Sequence, residues 1–133
     1  MPTTPEELIK LPAVIYGNGD VSLDQLRMSE EPHGKVMKSY KLQGNYKVSD
    51  VRTLICAVQD GLGYALVDLS NLTKPINQLG LTLLLPNHDI STMDTAIYAV
   101  FPHKKRTMLT NTFIDAVQAY IGEPARWEVF LNT

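Results

Sequence analysis

The chain has 133 residues with a formal net charge of -2, and 44% of the residues are hydrophobic. This length favours a single domain over residues 1–133, and the apolar content is sufficient for a hydrophobic core. The slightly acidic balance argues against a free-standing nucleic-acid-binding protein, because such proteins are normally basic. The one cysteine, Cys56, excludes an internal disulfide framework, and its apolar neighbours predict a buried, inert thiol.

Nothing in the sequence predicts contact with a membrane. No apolar run approaches the length of a helix that spans a bilayer. The N-terminal residues lack the basic and apolar segments of a secretory signal. We therefore predict a cytoplasmic protein that does not bind membranes.

The first third of the chain predicts short strands. Residues 1–10 form a lead-in in which Pro5 starts one helical turn, since proline suits the first helical position. The apolar run 11–16 predicts a buried strand that ends at a glycine-rich turn. Residues 21–35 are polar and contain helix breakers, so irregular structure is expected there. Two further short strands are predicted within 36–48.

An amphipathic helix is the clearest local prediction. Apolar residues recur at helical spacing over 51–58, Ser49 can cap the N-terminus, and Gly61 supplies a left-handed stop. The apolar run 62–69 then predicts a central, parallel strand. A short helix is expected over 75–79, closed by a glycine.

The C-terminal half predicts two more strands and a final helix. Strands are expected over 81–85 and 96–101, because each run is apolar and a proline follows it. The segment 109–133 predicts a C-terminal helix and a tail. Thr110 or Asn111 is expected to cap this helix, and a glycine to end it.

Strands that alternate with helices predict an α/β fold with a central mixed, mostly parallel sheet flanked by helices. Sheets of this kind bind ligands beyond the carboxyl ends of their strands, where helix N-termini present free N–H groups. This rule directs attention to the predicted strand ends at Tyr16-Gly17, Val48-Ser49 and Val67-Asp68.

No catalytic motif is present, and we expect neither an enzyme nor a metal or cofactor site. The three histidines, His33, His88 and His103, lack the spacing of metal ligands. Two roles stay open for Ser49: a helix cap only, or a hydroxyl that also binds a polar effector. Tyr16 likewise fits either core packing or a phenol that faces a ligand.

One stretch, 57–66, reads Ala-Val-Gln-Asp-Gly-Leu-Gly-Tyr-Ala-Leu. The strand-like segments 80–86 and 97–103 follow it, and Phe-Ile-Asp at 113–115 begins the last helical run. In this order and spacing, these segments resemble the effector-binding domain of LysR-type transcriptional regulators. The resemblance covers nearly the whole chain.

The resemblance implies a periplasmic-binding-protein-like fold of type 2, of which this chain would be one half, the second subdomain with the C-terminal helix. We find no counterpart of the family's DNA-binding winged helix-turn-helix or first subdomain, so we expect a truncated domain that does not bind nucleic acid itself. The implied partner is a small-molecule effector. In the intact architecture, effector binding in a cleft would control the geometry of the DNA-binding domains.

The family's cleft is lined by both subdomains, and only the positions of one half are present here. The residues that the resemblance implies at the effector are Tyr16, Gly17, Val48 and Ser49, with Asp68 as a weaker candidate. A missing half also predicts uncovered apolar surface. We expect this surface to be buried by a second copy of the chain, as a homo-oligomer, or by docking back on the chain's own sheet. Its residues are Phe113, Val117, Tyr120, Ile121, Trp127 and Phe130.

Three alternative functions stay open. A free-standing solute-binding domain would need a secretory signal and a complete cleft. An interaction protein that pairs with a full-length regulator would co-purify with that regulator. A small enzyme would need a nucleophile and a base within reach of each other.

Overall fold

The computed structural model describes residues 1–91, 98–100 and 105–131. The strands of this part are β1 (Val14–Asn18), β2 (Val21–Ser22), β3 (Gln25–Ser29), β4 (Met37–Lys41) and β5 (Tyr46–Val48). The α-helices are α1 (Pro5–Leu8), α2 (Val51–Gln59) and α3 (Met108–Ile121). Short 3-10 turns span Leu69–Asn71, Ile76–Leu79 and Glu128–Leu131.

β1 is the centre of a three-stranded sheet with the order β2-β1-β5. β5 runs parallel to β1, with Tyr16 opposite Val48. β2 is antiparallel to β1, with Gly17 opposite Ser22, and β3 and β4 form a separate antiparallel pair. The prediction of an α/β fold with a mixed sheet agrees with these elements. The prediction of mostly parallel pairing is wrong for the described residues, because two of their three strand pairs are antiparallel.

The apolar run 62–69 predicts a long central strand, but its pairing with β1 is limited to one residue. A parallel bridge joins Tyr64 to Ala13. Further along β1, the N–H of Leu23 donates a hydrogen bond of 2.8 Å to the carbonyl of Tyr16. The turn into β2 therefore occupies the edge of β1 that a longer strand would need.

The prediction of a strand over 81–85 is also wrong. Its last residue, Leu85, is buried and has a left-handed backbone with a φ of 49°. The N–H of His88 donates to the carbonyl of Leu85 at 3.0 Å, so the chain turns here. A left-handed residue cannot continue an extended strand. Half of the predicted strand over 96–101 lies outside the described residues, and 98–100 have no regular structure.

The sequence predicts irregular structure over 21–35, but this segment contains β2 and β3. In β3, the exposed residues Gln25 and Arg27 alternate with the buried residues Leu26 and Met28. This is the pattern of a half-buried strand. β4 pairs with β3 over all of its length. Because the segment 21–35 is mostly polar, the short alternation within β3 is not apparent from the sequence alone.

The main hydrophobic core joins α1, β3 and β4 to the start of β1. Its apolar side chains come from five separate segments, which supports one continuous packing unit around this sheet. Leu8 belongs to this core, so α1 packs against the sheet and is more than a lead-in. The buried members are Leu8, Ala13, Leu26, Met28, Tyr40, Leu42 and Leu85.

α2 packs against β1 and β5, and the prediction of a helix over 51–58 is confirmed. Leu54 is 2% exposed and is the buried residue of this helix. Ile15 packs against the main core, so the alternation along β1 turns Val14 and Tyr16 to the opposite face. Cys56 is exposed, which corrects the prediction of a buried thiol. Residues two positions apart on a helix point in different directions, so burial of Leu54 turns Cys56 to solvent.

The two longer helices begin at different caps from those that the sequence suggests. Asp50, and not Ser49, caps α2, because its Oδ2 accepts a hydrogen bond from the Thr53 N–H. Thr107 caps α3, with its Oγ1 accepting from the Thr110 N–H at 3.1 Å, so the predicted cap at residue 110 or 111 is wrong. Serine, threonine and aspartate all suit this position, and residue type alone cannot choose between neighbours.

Two glycines bring backbone segments close to the start of β1. A Cβ on Gly44 would overlap the carbonyl oxygen of Ala13, and a Cβ on Gly63 would overlap that of Pro12. The N–H of Ala13 donates to the carbonyl of Gln43 at 2.8 Å on one side. The start of β1 is thus held between two backbone neighbours at a distance that only a residue without a side chain permits.

Candidate functional site

The carboxyl ends of β1 and β5 lie side by side because the two strands are parallel. Tyr16 is opposite Val48, so Gly17 and Ser49 follow them at the same end of the sheet. We call these four residues the strand-end site. α2 begins at Val51, directly beyond the end of β5, and its N-terminus borders the site. The structure thus brings together four of the five residues that the resemblance implies at an effector.

Tyr16 and Val48 share one face of the two strands, since directly opposite residues of a sheet point the same way. Both residues are half-buried. The phenol of Tyr16 therefore combines a partly packed ring with a polar tip. Each of the two side chains therefore keeps some exposed surface at the carboxyl end of the sheet.

Lys47 is a charged residue of this region that no sequence motif marks. It lies opposite Ile15 on the neighbouring strand, and its side chain passes over Gly17. A Cβ on Gly17 would overlap Cε of Lys47 and would stand 3.0 Å from Nζ. Lys47 is exposed, and its ammonium group lies beside Gly17, on the face of the sheet opposite to Tyr16 and Val48. Only the pairing register reveals this contact.

The sequence leaves two roles open at the start of α2, a helix cap and a polar contact with a ligand, and the structure assigns the cap to Asp50. The Oδ2 of Asp50 accepts hydrogen bonds from the N–H and the hydroxyl of Thr53, both at 2.9 Å. The bond from the Thr53 N–H lowers the pKa of the Asp50 carboxyl. Ser49 is exposed, and no hydrogen bond between described residues engages its hydroxyl. The interpretation of Ser49 as the helix cap is therefore wrong, and its hydroxyl can meet a ligand.

Asp68 stands apart from the other predicted site residues. Its Oδ1 accepts from the N–H and the hydroxyl of Ser70, both at 3.0 Å, at the start of the turn Leu69–Asn71. Nowhere in the described part of the chain does a hydrogen bond or strand pairing join Asp68 to β1 or β5. The chain leaves the edge of β1 after Tyr64, so the strand end on which this prediction depends is not formed.

The residues between 113 and 130 that predict an uncovered apolar surface differ in exposure, and the most exposed of them lie in the apolar stripe of α3. Phe113 is 69% and Tyr120 is 71% exposed, and α3 has no buried residue. The ring of Tyr120 contacts the guanidinium of Arg126 at 4.5 Å, which is a local interaction between α3 and the residues after it. The described strands therefore do not bury Phe113 or Tyr120. The less exposed members are Ile121, Trp127 and Phe130, which are half-buried, and Val117.

Two classes of site are missing from residues 1–91, 98–100 and 105–131. No three His, Cys, Asp or Glu side chains of this part come together in a way that could hold a metal ion. None of its helices is both long and apolar enough to cross a bilayer. His103, which the sequence groups with the other histidines, lies outside the described residues.

The fold and the strand-end site define the class of an α/β domain with ligand-binding geometry, because parallel strand ends meet beside a helix N-terminus. Comparison with known protein families then identifies the family. The LysR substrate binding domain matches residues 1–122, and the chain belongs to this family. The family consists of regulatory effector-binding domains with a periplasmic-binding-protein-like fold. No curated protein and no solved structure matched the chain.

Separate replacement of Asp50 and Ser49 tests their division of roles. Asp50→Ala removes the cap of α2, so we expect the midpoint of thermal unfolding to fall by about 2–4 °C. Ser49→Ala should leave the midpoint within about 1 °C, because its hydroxyl caps nothing. Circular dichroism melts of both variants measure the difference. A larger loss for Ser49→Ala would contradict the assigned cap.

Because the cap of α2 is a carboxylate, we also expect the stability of the chain to depend on pH. The pKa of Asp50 lies below its ordinary value of 3.8. The stabilisation that the Asp50 cap provides is therefore complete above pH 3.8. It is lost as the pH falls through the lowered pKa of the folded chain. Asn also caps but does not titrate, so melts of Asp50→Asn should show a smaller loss of stability on acidification than the wild type. Equal losses would exclude the Asp50 carboxylate as a source of the pH dependence.

Proposed function

We propose that this chain senses a small-molecule effector for a LysR-type transcriptional regulator and that the effector binds at the strand-end site. Membership of the family supports this class of function. The observation that supports the location is the pairing of Tyr16 with Val48, which sets two parallel strand ends beside the N-terminus of α2. Open α/β sheets bind their ligands at such positions.

The charges around the site favour a ligand with a polar or anionic group. Lys47 supplies an ammonium group beside Gly17, Ser49 supplies a hydroxyl, and the N-terminus of α2 adds partial positive charge. Gly17 has no side chain, which leaves room for the Lys47 side chain to pass over the backbone of β1. The carboxylate of Asp50 opposes an anion, but it is engaged in capping α2.

The strand-end site would form one wall of a cleft whose other wall belongs to a second lobe. Half a cleft leaves most of a ligand's surface in water, so binding to this chain alone should be weak. In the intact regulator, the effector would favour one arrangement of the lobes and so alter the geometry of the DNA-binding domains. This chain would act in the cytoplasm, without a cofactor, and would not contact nucleic acid itself. The alternatives of a free-standing solute binder or a pairing protein are not favoured by the family.

A ligand screen followed by two variants tests the proposal. Small organic acids and amino acids are screened by the shift they cause in thermal unfolding, and hits are measured by calorimetric titration. The double variant Lys47→Gln with Ser49→Ala should bind a hit at least roughly 30-fold more weakly, because a charge-assisted and a neutral hydrogen bond are lost.

Lys41→Gln is the matched control, since it removes the same charge from an exposed position on β4. This control should retain the wild-type affinity. Equal affinity of the double variant and the wild type for a hit would place the ligand elsewhere. If Lys41→Gln bound the hit as weakly as the double variant does, the loss of affinity would come from the change in net charge and not from a contact at the strand-end site.

We also propose that the chain forms a homo-oligomer through the apolar stripe of α3. Phe113 lies in this stripe and is exposed in the single chain, which supports an unfilled contact. Sedimentation at micromolar concentration should show a dimer that Phe113→Asp shifts toward monomer. Asn111→Asp adds the same charge beside the stripe and should leave the dimer intact. A monomeric wild type would overturn this proposal.

A further inference from the structure

The turn between β1 and β2 begins with an asparagine followed by a glycine, Asn18-Gly19, and the sequence has no second Asn-Gly pair. Both residues are exposed, and no hydrogen bond between described residues engages the Asn18 side chain or the Gly19 N–H. Gly19 has a φ of 58°, and nothing lies within 4 Å of the place where a Cβ would stand. The side-chain amide of Asn18 therefore has an unprotected backbone nitrogen next to it, with no side chain to shield that nitrogen.

We propose that Asn18 is a site of spontaneous deamidation, with water as the co-reactant. The Gly19 nitrogen gives its proton to solvent and forms a bond to Cγ of Asn18, while the side-chain amide takes up a proton and leaves as ammonia. The product of this step is a cyclic imide. Water then adds to either carbonyl carbon of the ring and opens it, to aspartate or to isoaspartate. The balance is an amide and water that give a carboxylic acid and ammonia.

The pair Asp60-Gly61 shows why the fold matters as well as the residue types. Aspartate followed by glycine can close the same ring by loss of water. The Gly61 N–H, however, donates a hydrogen bond of 3.0 Å to the carbonyl of Val58 at the end of α2. This bond holds the proton that must leave, so we expect the folded chain to prevent ring closure at Asp60. No such bond protects Asn18.

Deamidation would change the charge at the end of β1. Asn18 lies on the same face of the strand as Tyr16, because alternate residues of a strand point the same way. A carboxylate in place of the amide adds negative charge beside the strand-end site and should weaken the binding of an anionic effector. That consequence rests on the proposed function, whereas the deamidation itself requires no effector and is measured without one.

Peptide mapping by mass spectrometry tests the proposal on the full chain, incubated at mildly alkaline pH in oxygen-labelled water. The peptide with Asn18 should take up the labelled oxygen and contain isoaspartate. It should do so several-fold faster than peptides with Asn45 or Asn71, which are also exposed but precede the larger residues Tyr46 and Leu72. An equal rate at the three asparagines, or a product without isoaspartate, would overturn the proposal.

Two matched comparisons test the ring-closure step. Gly19→Ala adds a methyl group beside the attacking nitrogen and should slow the loss of the Asn18 amide several-fold. If this variant does not fold, Asn18→Gln replaces it, because its longer side chain would have to close a larger ring and should keep its amide. Isoaspartate should appear at Asp60 in urea, where the bond from Gly61 is broken, and not in the folded chain. An unchanged rate of amide loss in the variant, or isoaspartate in the folded chain as early at Asp60 as at Asn18, would overturn the proposal.

Discussion

Gly44→Ala is expected to lower the free energy of unfolding by on the order of 4 kcal/mol, which is a large share of the stability of about 5–15 kcal/mol that is typical of one domain. The added Cβ would overlap the carbonyl oxygen of Ala13. That oxygen belongs to the backbone of the segment that enters β1, so it cannot move aside as a flexible side chain would. Separation of the two backbones would also strain the hydrogen bond from Ala13 to Gln43. Urea denaturation followed by circular dichroism measures the loss.

Gly19→Ala is the matched control for the glycine substitution. Nothing lies within 4 Å of a Cβ at Gly19, but its φ of 58° is left-handed. This variant isolates the conformational cost, which is about 1–2 kcal/mol. Gly44 carries the steric cost without a left-handed φ. If Gly44→Ala lost no more stability than Gly19→Ala, the close approach of the two backbones would be refuted.

Leu54→Ala should cost about 3 kcal/mol of stability, because Leu54 is the buried side chain that fixes α2 on the sheet. Its truncation removes apolar contacts and leaves a space under the helix. The same substitution should weaken binding at the strand-end site, since the N-terminus of α2 borders that site. Urea denaturation gives the free energy, and titration of a hit from the effector screen gives the affinity.

Leu109→Ala makes the identical change in a helix where the side chain is 80% exposed. Its effect should stay within about 0.5 kcal/mol. Comparable losses for the two leucines would mean that α2 is not held by burial of Leu54.

Local periodicity and topology predict much of the strand-end site. The apolar spacing over 51–58 predicts α2, and the rule that parallel strands end together predicts the proximity of Tyr16 and Ser49. Both predictions depend on patterns that the sequence displays directly. The role of these residues in effector binding stays a prediction.

Features that depend on competition between segments could not be predicted in this way. The strand over 62–69 is apolar enough, but the N–H of Leu23 occupies the edge that it would use. The strand over 81–85 fails because Leu85 turns into the left-handed region. The position of Lys47 over Gly17 follows from a pairing register that no spacing within one segment contains.

The sheet around β1 also has consequences for behaviour at high concentration. One outer strand, Val21–Ser22, and the other, Tyr46–Val48, are very short. Each offers few N–H and carbonyl groups to an approaching chain, and Lys47 adds like-charge repulsion on the second. We expect concentrated samples to resist amyloid-like strand addition at these margins. Self-association through α3 would leave the β content of this sheet unchanged.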